Sequence, residues 1–127
     1  MTVTLARSDL DAHERSVRAD LRDIVAELVQ LIGKKLTAYV GGAKDVRAVE
    51  RWIDGGEAYR DAEPRLRATY HVVKFLSAYD KPAVVQAWLM GLNPQLEDQS
   101  PLSLLREGKE ENNRAVLGAA RAFAAGG

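Results

Sequence analysis

Arg47 and Arg51 lie four residues apart in "KDVRAVERWIDGG", with Lys44 and Asp45 just ahead of them. On a helix this spacing puts both guanidinium groups on one face, where they can pair with guanine edges or grip phosphates. The positive end of the same helix favours a phosphate as well. Across residues 31–56, Lys34, Lys35, Lys44, Arg47 and Arg51 oppose Asp45, Glu50 and Asp54, a local excess of two positive charges. Lys44, Asp45, Arg47 and Arg51 are therefore candidates for DNA contact. The same spacing also suits a solvated helix face, so the pattern alone leaves both readings open.

Residues for catalysis are few. His13 and His71 each lack a partner at the spacing of a His-Glu-x-x-His metal site. The Gly-Gly pairs at 41 and 55 lack the preceding strand and the lysine of a phosphate loop, and there is no Gly-x-Ser-x-Gly elbow. The absence of cysteine removes thiol catalysis, disulfides and cysteine-based metal sites, and fits a reducing cytoplasm. The chain reads as a non-enzyme with no cofactor, no metal and no catalytic residue. Eighteen basic and eighteen acidic side chains cancel, so any affinity for nucleic acid must rest on local distribution. No apolar run approaches the roughly 18 residues of a membrane span, and the first twenty residues lack the apolar core of a secretory signal. A cytoplasmic protein is expected.

The elements that would position these residues are helical. In "SVRADLRDIVAELVQLIGKKL", Leu21, Ile24, Val25, Leu28, Leu31 and Ile32 recur every three or four residues, a buried stripe ending at Gly33. The polar segment before it continues as a helix or frays. The piece "LTAYV" leads to Gly41 and Gly42, Asp45 caps the next helix, and Gly55 and Gly56 stop it near Asp54. Residues 36–56 thus read as a helix-turn-helix, with Val46, Val49 and Trp52 or Ile53 turned inward. A long helix follows from Pro64, with Leu66, Tyr70, Val73 and Leu76 on one face. Asp80 and Pro82 open the next helix and Ser100 and Pro101 another, closed by Gly108; a last helix carries Val116, Leu117, Ala120 and Phe123 inward. The tail "AFAAGG" is small and flexible in character. The expected fold class is all-α, with six or seven helices, a helix-turn-helix region over 1–79 and a C-terminal module over 80–127.

Within that module stand Trp88, Leu89, Asn93-Pro94, Leu96, Ser100-Pro101, Leu105, Gly108 and Val116. This order resembles the C-terminal motif of the Xre/MbcA/ParS antitoxin family. Upstream, Val49, Arg51, Trp52 and Gly55 match the family's helix-turn-helix, and the resemblance covers residues 28–123. It implies an antitoxin of a type II pair that binds and blocks a RES-type, NAD-degrading toxin and represses its own operon as a homo-oligomer. It assigns DNA contact to Lys44, Asp45, Arg47 and Arg51. Toxin contact falls to Trp88, Asn93, Pro94, Leu96, Ser100, Pro101, Leu105 and Gly108, with Arg114 and Arg121 of the last helix reaching toward a nucleotide pocket. The turn at Gly42–Asp45 is one residue longer than the minimal repressor pattern, and Glu50 lies within the helix, so a DNA-binding regulator without a toxin and a protein-binding adaptor remain alternatives.

Overall fold

In the computed structural model, which describes residues 2–56 and 61–126, the chain is all-helical. The helices are α1 (Thr2–Arg18), α2 (Leu21–Val40), α3 (Arg47–Ile53), α4 (Ala62–Ser77), α5 (Pro82–Met90), α6 (Pro101–Glu107) and α7 (Glu110–Ala124). A 3-10 turn, Pro94–Leu96, lies between α5 and α6, and among the described residues β pairing is limited to one bridge between Asn93 and Gln99.

Helix α4 occupies the centre. Leu66, Tyr70, Val73 and Leu76 are fully enclosed, Val72 and Phe75 almost so, and α1, α2, α5, α6 and α7 all pack against it. A helix buried on most of its circumference needs apolar residues on more than one stripe, and Val72 and Phe75 supply the second. The buried cluster is continuous across the expected division at 79/80, joining Leu28 and Leu66 to Leu89, Leu105 and Val116.

Gly33 does its expected work in a different form. At φ 87° and ψ 164° it breaks the helical geometry of α2, yet the chain resumes its helix at once. The result is a kink, and the buried Thr37 secures the restart by donating its hydroxyl to the Gly33 carbonyl at 2.7 Å.

Two expected features are corrected. Asp80 does not cap α5: Lys81, with extended backbone, holds that position, while the Asp80 amide closes the end of α4 on the Leu76 carbonyl. The "AFAAGG" segment is helical as far as Ala124, because Phe123 and Ala124 pack on the core; Gly127 lies outside the described residues.

Helix α1 is well formed and docked. Ala12 and Ser16 are buried against the body, and the Arg67 guanidinium of α4 donates to the carbonyls of Ser16 (3.0 Å) and Ala19 (2.8 Å). Those carbonyls at a helix end have no partner within the helix, so a cation there both bonds them and offsets the negative end of the helix dipole. Arg121 of α7 donates to Asp9 at 2.8 Å, and Asp9 also meets His71 of α4 at 2.8 Å.

A polar knot joins α1, α2 and α4. Tyr70 donates its hydroxyl to Glu27, and Arg15 donates to the Tyr70 oxygen at 2.7 Å. Burial pushes the Tyr70 phenol up, with Glu27 adding to it, to about 12. Burial also pushes the Glu27 carboxyl up, but the Tyr70 hydroxyl, Lys74 and Arg15 outweigh it and hold the group below the usual carboxylate range. A depressed carboxylate stabilises the fold above its unfolded-state pKa, and that contribution is lost as pH falls through the folded value. We therefore expect unfolding free energy to drop as pH is lowered through the carboxylate range, and Glu27→Gln to flatten that drop, as measured by urea denaturation at a series of pH values.

Candidate functional site

The region expected to form a helix-turn-helix consists of the second half of α2, a turn over residues 41–46, and α3. Val49 and Trp52 are buried and fix α3 against the body. Gly41 is required for contact: a Cβ there would stand 2.7 Å from the Trp52 ring. Val46, not the expected Asp45, holds the cap position of α3; Asp45, one residue ahead, accepts from the Arg47 amide at 2.9 Å, so its carboxylate is engaged at the start of the helix. Lys44, Arg47 and Arg51 are exposed, and neither arginine has an ion pair among the described residues. Glu50 is paired with Lys34 at 3.2 Å, which cancels one acid on this face with one of its lysines. Arg106 of α6 reaches the same neighbourhood, donating to the Tyr39 carbonyl at 2.7 Å and lying 4.4 Å above the Tyr39 ring. Nothing in the sequence pointed to Arg106, because its partner is sixty-seven positions away.

The C-terminal module forms a groove of about 360 Å³ between α5, the following loop and α7. Trp88 is half-buried, with its ring 5.9 Å from that of Phe123 and tilted by 35°. Leu92, Pro94 and Ala119 line the rest of the groove. Leu92 is 75% exposed on this groove, whereas Met90, 53% exposed, lines a different cleft with Leu36 and Tyr39.

The loop below the groove is held rigidly. The Asn93 side chain accepts from the Gln95 amide at 2.9 Å, its carbonyl accepts from Leu96 and Asp98, and its amide donates to the Gln99 carbonyl. Glu97 and Asp98 take φ values of 55° and 61°, a left-handed conformation that non-glycine residues adopt only when their surroundings impose it. Ser100 caps α6 by accepting from the Ser103 amide at 3.2 Å, and Gly108 ends that helix at φ 76°.

The residues that carry the motif thus divide by role. Leu96, Pro101 and Leu105 are buried and support the loop from inside; Asn93, Ser100 and Gly108 set backbone geometry; Trp88 and Pro94 line the open groove. Arg114 and Arg121 are exposed on another face of α7, Arg121 bonded to Asp9 and Arg114 lining a cleft toward α1 and α4. They do not line the Trp88 groove. Leu92 and Ala119 were missed by sequence reasoning; a lone leucine in a Gly-x-Asn-Pro loop was the only available signal. His13 and His71 come together with ring centroids 5.2 Å apart, yet among the described residues no three His, Cys, Asp or Glu side chains are grouped to hold a metal ion.

The fold has a counterpart among solved structures. The chain is similar to a chain of the M. tuberculosis MbcT-MbcA toxin-antitoxin complex, with a TM-score of 0.69 and 24% identity. The likeness covers 84% of this chain and 95% of that one. The two chains share an all-α fold. No family model and no curated protein matches the sequence. Among the described residues no helix is long and apolar enough to cross a membrane.

The turn between α2 and α3 depends on the close approach of Trp52 and Gly41. We expect Gly41→Ala to force the enclosed indole aside and destabilise the protein by about 1–3 kcal/mol, read by urea denaturation.

Proposed function

We propose that the chain is the antitoxin of a type II toxin–antitoxin pair, acting in the cytoplasm. Its α5–α7 groove binds a RES-type, NAD-degrading toxin and blocks it. The exposed arginines of α3 bind the promoter of the shared operon, and the chain acts as a homo-oligomer. The observation that carries this reading is the Trp88–Leu92–Phe123 groove, in whose lining Trp88, Asn93 and Pro94 belong to the order that resembles the antitoxin motif. Likeness in fold to a chain of a toxin–antitoxin complex supports it over most of the length.

The groove suits a macromolecular partner. A half-buried tryptophan beside a projecting leucine gives a large apolar contact, and such anchors dominate binding energy at protein interfaces. The capped and cross-bonded loop adds rigidity, which lowers the ordering cost of association. On the other surface Arg47 and Arg51 project freely, while Asp45 is occupied with the start of α3 and Glu50 with Lys34. Those two acids therefore oppose phosphate less than their formal charges suggest.

Co-expression with the toxin-like reading frame adjacent to this gene tests the proposal. The neighbour alone should arrest growth, and this chain should restore it and co-purify. Leu92→Asp, at an exposed position that leaves the core intact, should weaken the complex at least about tenfold and remove the rescue. Arg47→Ala with Arg51→Ala should weaken binding to the upstream promoter by about tenfold or more while rescue persists. A harmless neighbour, or rescue unaffected by Leu92→Asp, would reject the toxin-binding surface. Equal promoter binding by wild type and double variant would reject the recognition helix.

A further inference from the structure

A cleft of about 400 Å³ lies between the end of α2, the turn before α3 and the last turn of α6. Lys35, Lys44 and Arg106 line it against Asp45 alone, in a chain whose basic and acidic residues otherwise cancel. None of the three cations has an ion pair with any described residue. The acid is already engaged, accepting from the Arg47 amide at 2.9 Å.

Arg106 is held in position rather than free. It donates from Nη1 to the Tyr39 carbonyl at 2.7 Å, and its guanidinium carbon lies 4.4 Å from the centre of the Tyr39 ring. A guanidinium carries five N–H donors, so most of them remain for a partner. A group already fixed in place also loses less freedom when it binds. Lys35 stands one helical turn before Tyr39 on α2, and Lys44 closes the cleft at the start of α3. Oriented N–H donors flanked by two ammonium groups match the oxygens of a phosphate.

Continuity with α3 selects the kind of phosphate. The cleft runs directly into the helix whose Arg47 and Arg51 are exposed. Where the second helix of a helix-turn-helix enters the major groove, the helix before it crosses the phosphate backbone. In this chain that preceding helix is α2, and the cleft lies on its last turns. We infer that the cleft grips the phosphate backbone of duplex DNA, with Lys35 of α2 and Arg106 of α6 as contacts beyond those of α3. The inference rests on the reading of α3 as the helix that meets DNA. It makes α6, which the sequence pattern around α3 does not reach, part of the DNA-facing surface.

Fluorescence anisotropy across a salt series tests it, using the full chain, a duplex from the region upstream of its gene and a scrambled duplex of equal length. Phosphate contacts carry no sequence information and release counterions. Lys35→Gln and Arg106→Gln should therefore each weaken both duplexes by the same factor, about fivefold, and lower the slope of log affinity against log salt by about one. Arg114→Gln removes an exposed cation of α7 outside the cleft and should change neither quantity, with circular dichroism confirming each fold. Wild-type slopes in the folded Lys35→Gln and Arg106→Gln proteins overturn the inference, and α3 still stands if Arg47→Ala with Arg51→Ala abolishes binding. Lowered slopes in the first two variants, with the α3 double variant unaffected, keep the cleft and reject α3 as the recognition helix. Absence of duplex binding by the wild type overturns both. A changed oligomeric mass on gel filtration without a changed slope assigns the cleft to contact between copies and overturns the inference.

Discussion

Tyr70 stands in the middle of α4 with its ring fully enclosed and its hydroxyl shared between Glu27 of α2 and Arg15 of α1. Two consecutive helices and a third from more than forty residues further on are brought to one oxygen atom. The apolar faces of α1 and α2 would pack on α4 in several registers if burial alone chose among them, since burial is not directional. A buried hydroxyl that must find both a donor and an acceptor admits few of those registers. Once α1, α2 and α4 are set in this way, α5, α6 and α7 have the remaining surface of α4 to cover, and both functional faces follow from where they settle.

The two faces are built by different means. On the α2–α3 side, Gly33 bends α2 and Gly41 lets Trp52 approach the turn, so that α3 buries Val49 and Trp52 and presents Arg47 and Arg51 outward. On the other side, hydrogen bonds rather than packing shape the surface: Asn93 and Ser100 each spend a side chain on backbone amides, and the loop between them holds two residues in left-handed conformation. Arg106 of α6, bonded to the Tyr39 carbonyl near the end of α2, is a direct physical link between these regions.

Much of this was legible in the sequence because it is local. The apolar spacing of α2, α4 and α7, the serine and glycine that bound α6, and the aspartate ahead of α3 each depend on residues within a turn or two of one another. Asp80 misled, since an aspartate one residue earlier than the true cap looks the same without coordinates. The docking of α1 was hidden: Ala12 and Ser16 are small, and the bonds that hold the helix reach Arg67, His71 and Arg121 across the chain. Arg114 and Arg121 were assigned to a partner by the resemblance; that Arg121 bonds Asp9 and Arg114 lines a cleft toward α1 and α4 depends on the docking of α1, which the sequence did not show. In the candidate site, the motif order was visible, while the separation of its residues into buried supports and exposed contacts was not.

The central claim is that the α5–α7 face neutralises a partner toxin. Its most direct test is the rate at which the proposed RES-type partner, once purified, consumes NAD as this chain is added. The account requires the rate to fall linearly to near zero and to stay there once a fixed stoichiometric ratio is reached. A rate that is unchanged by excess chain, in a mixture where the chain is folded, would contradict it.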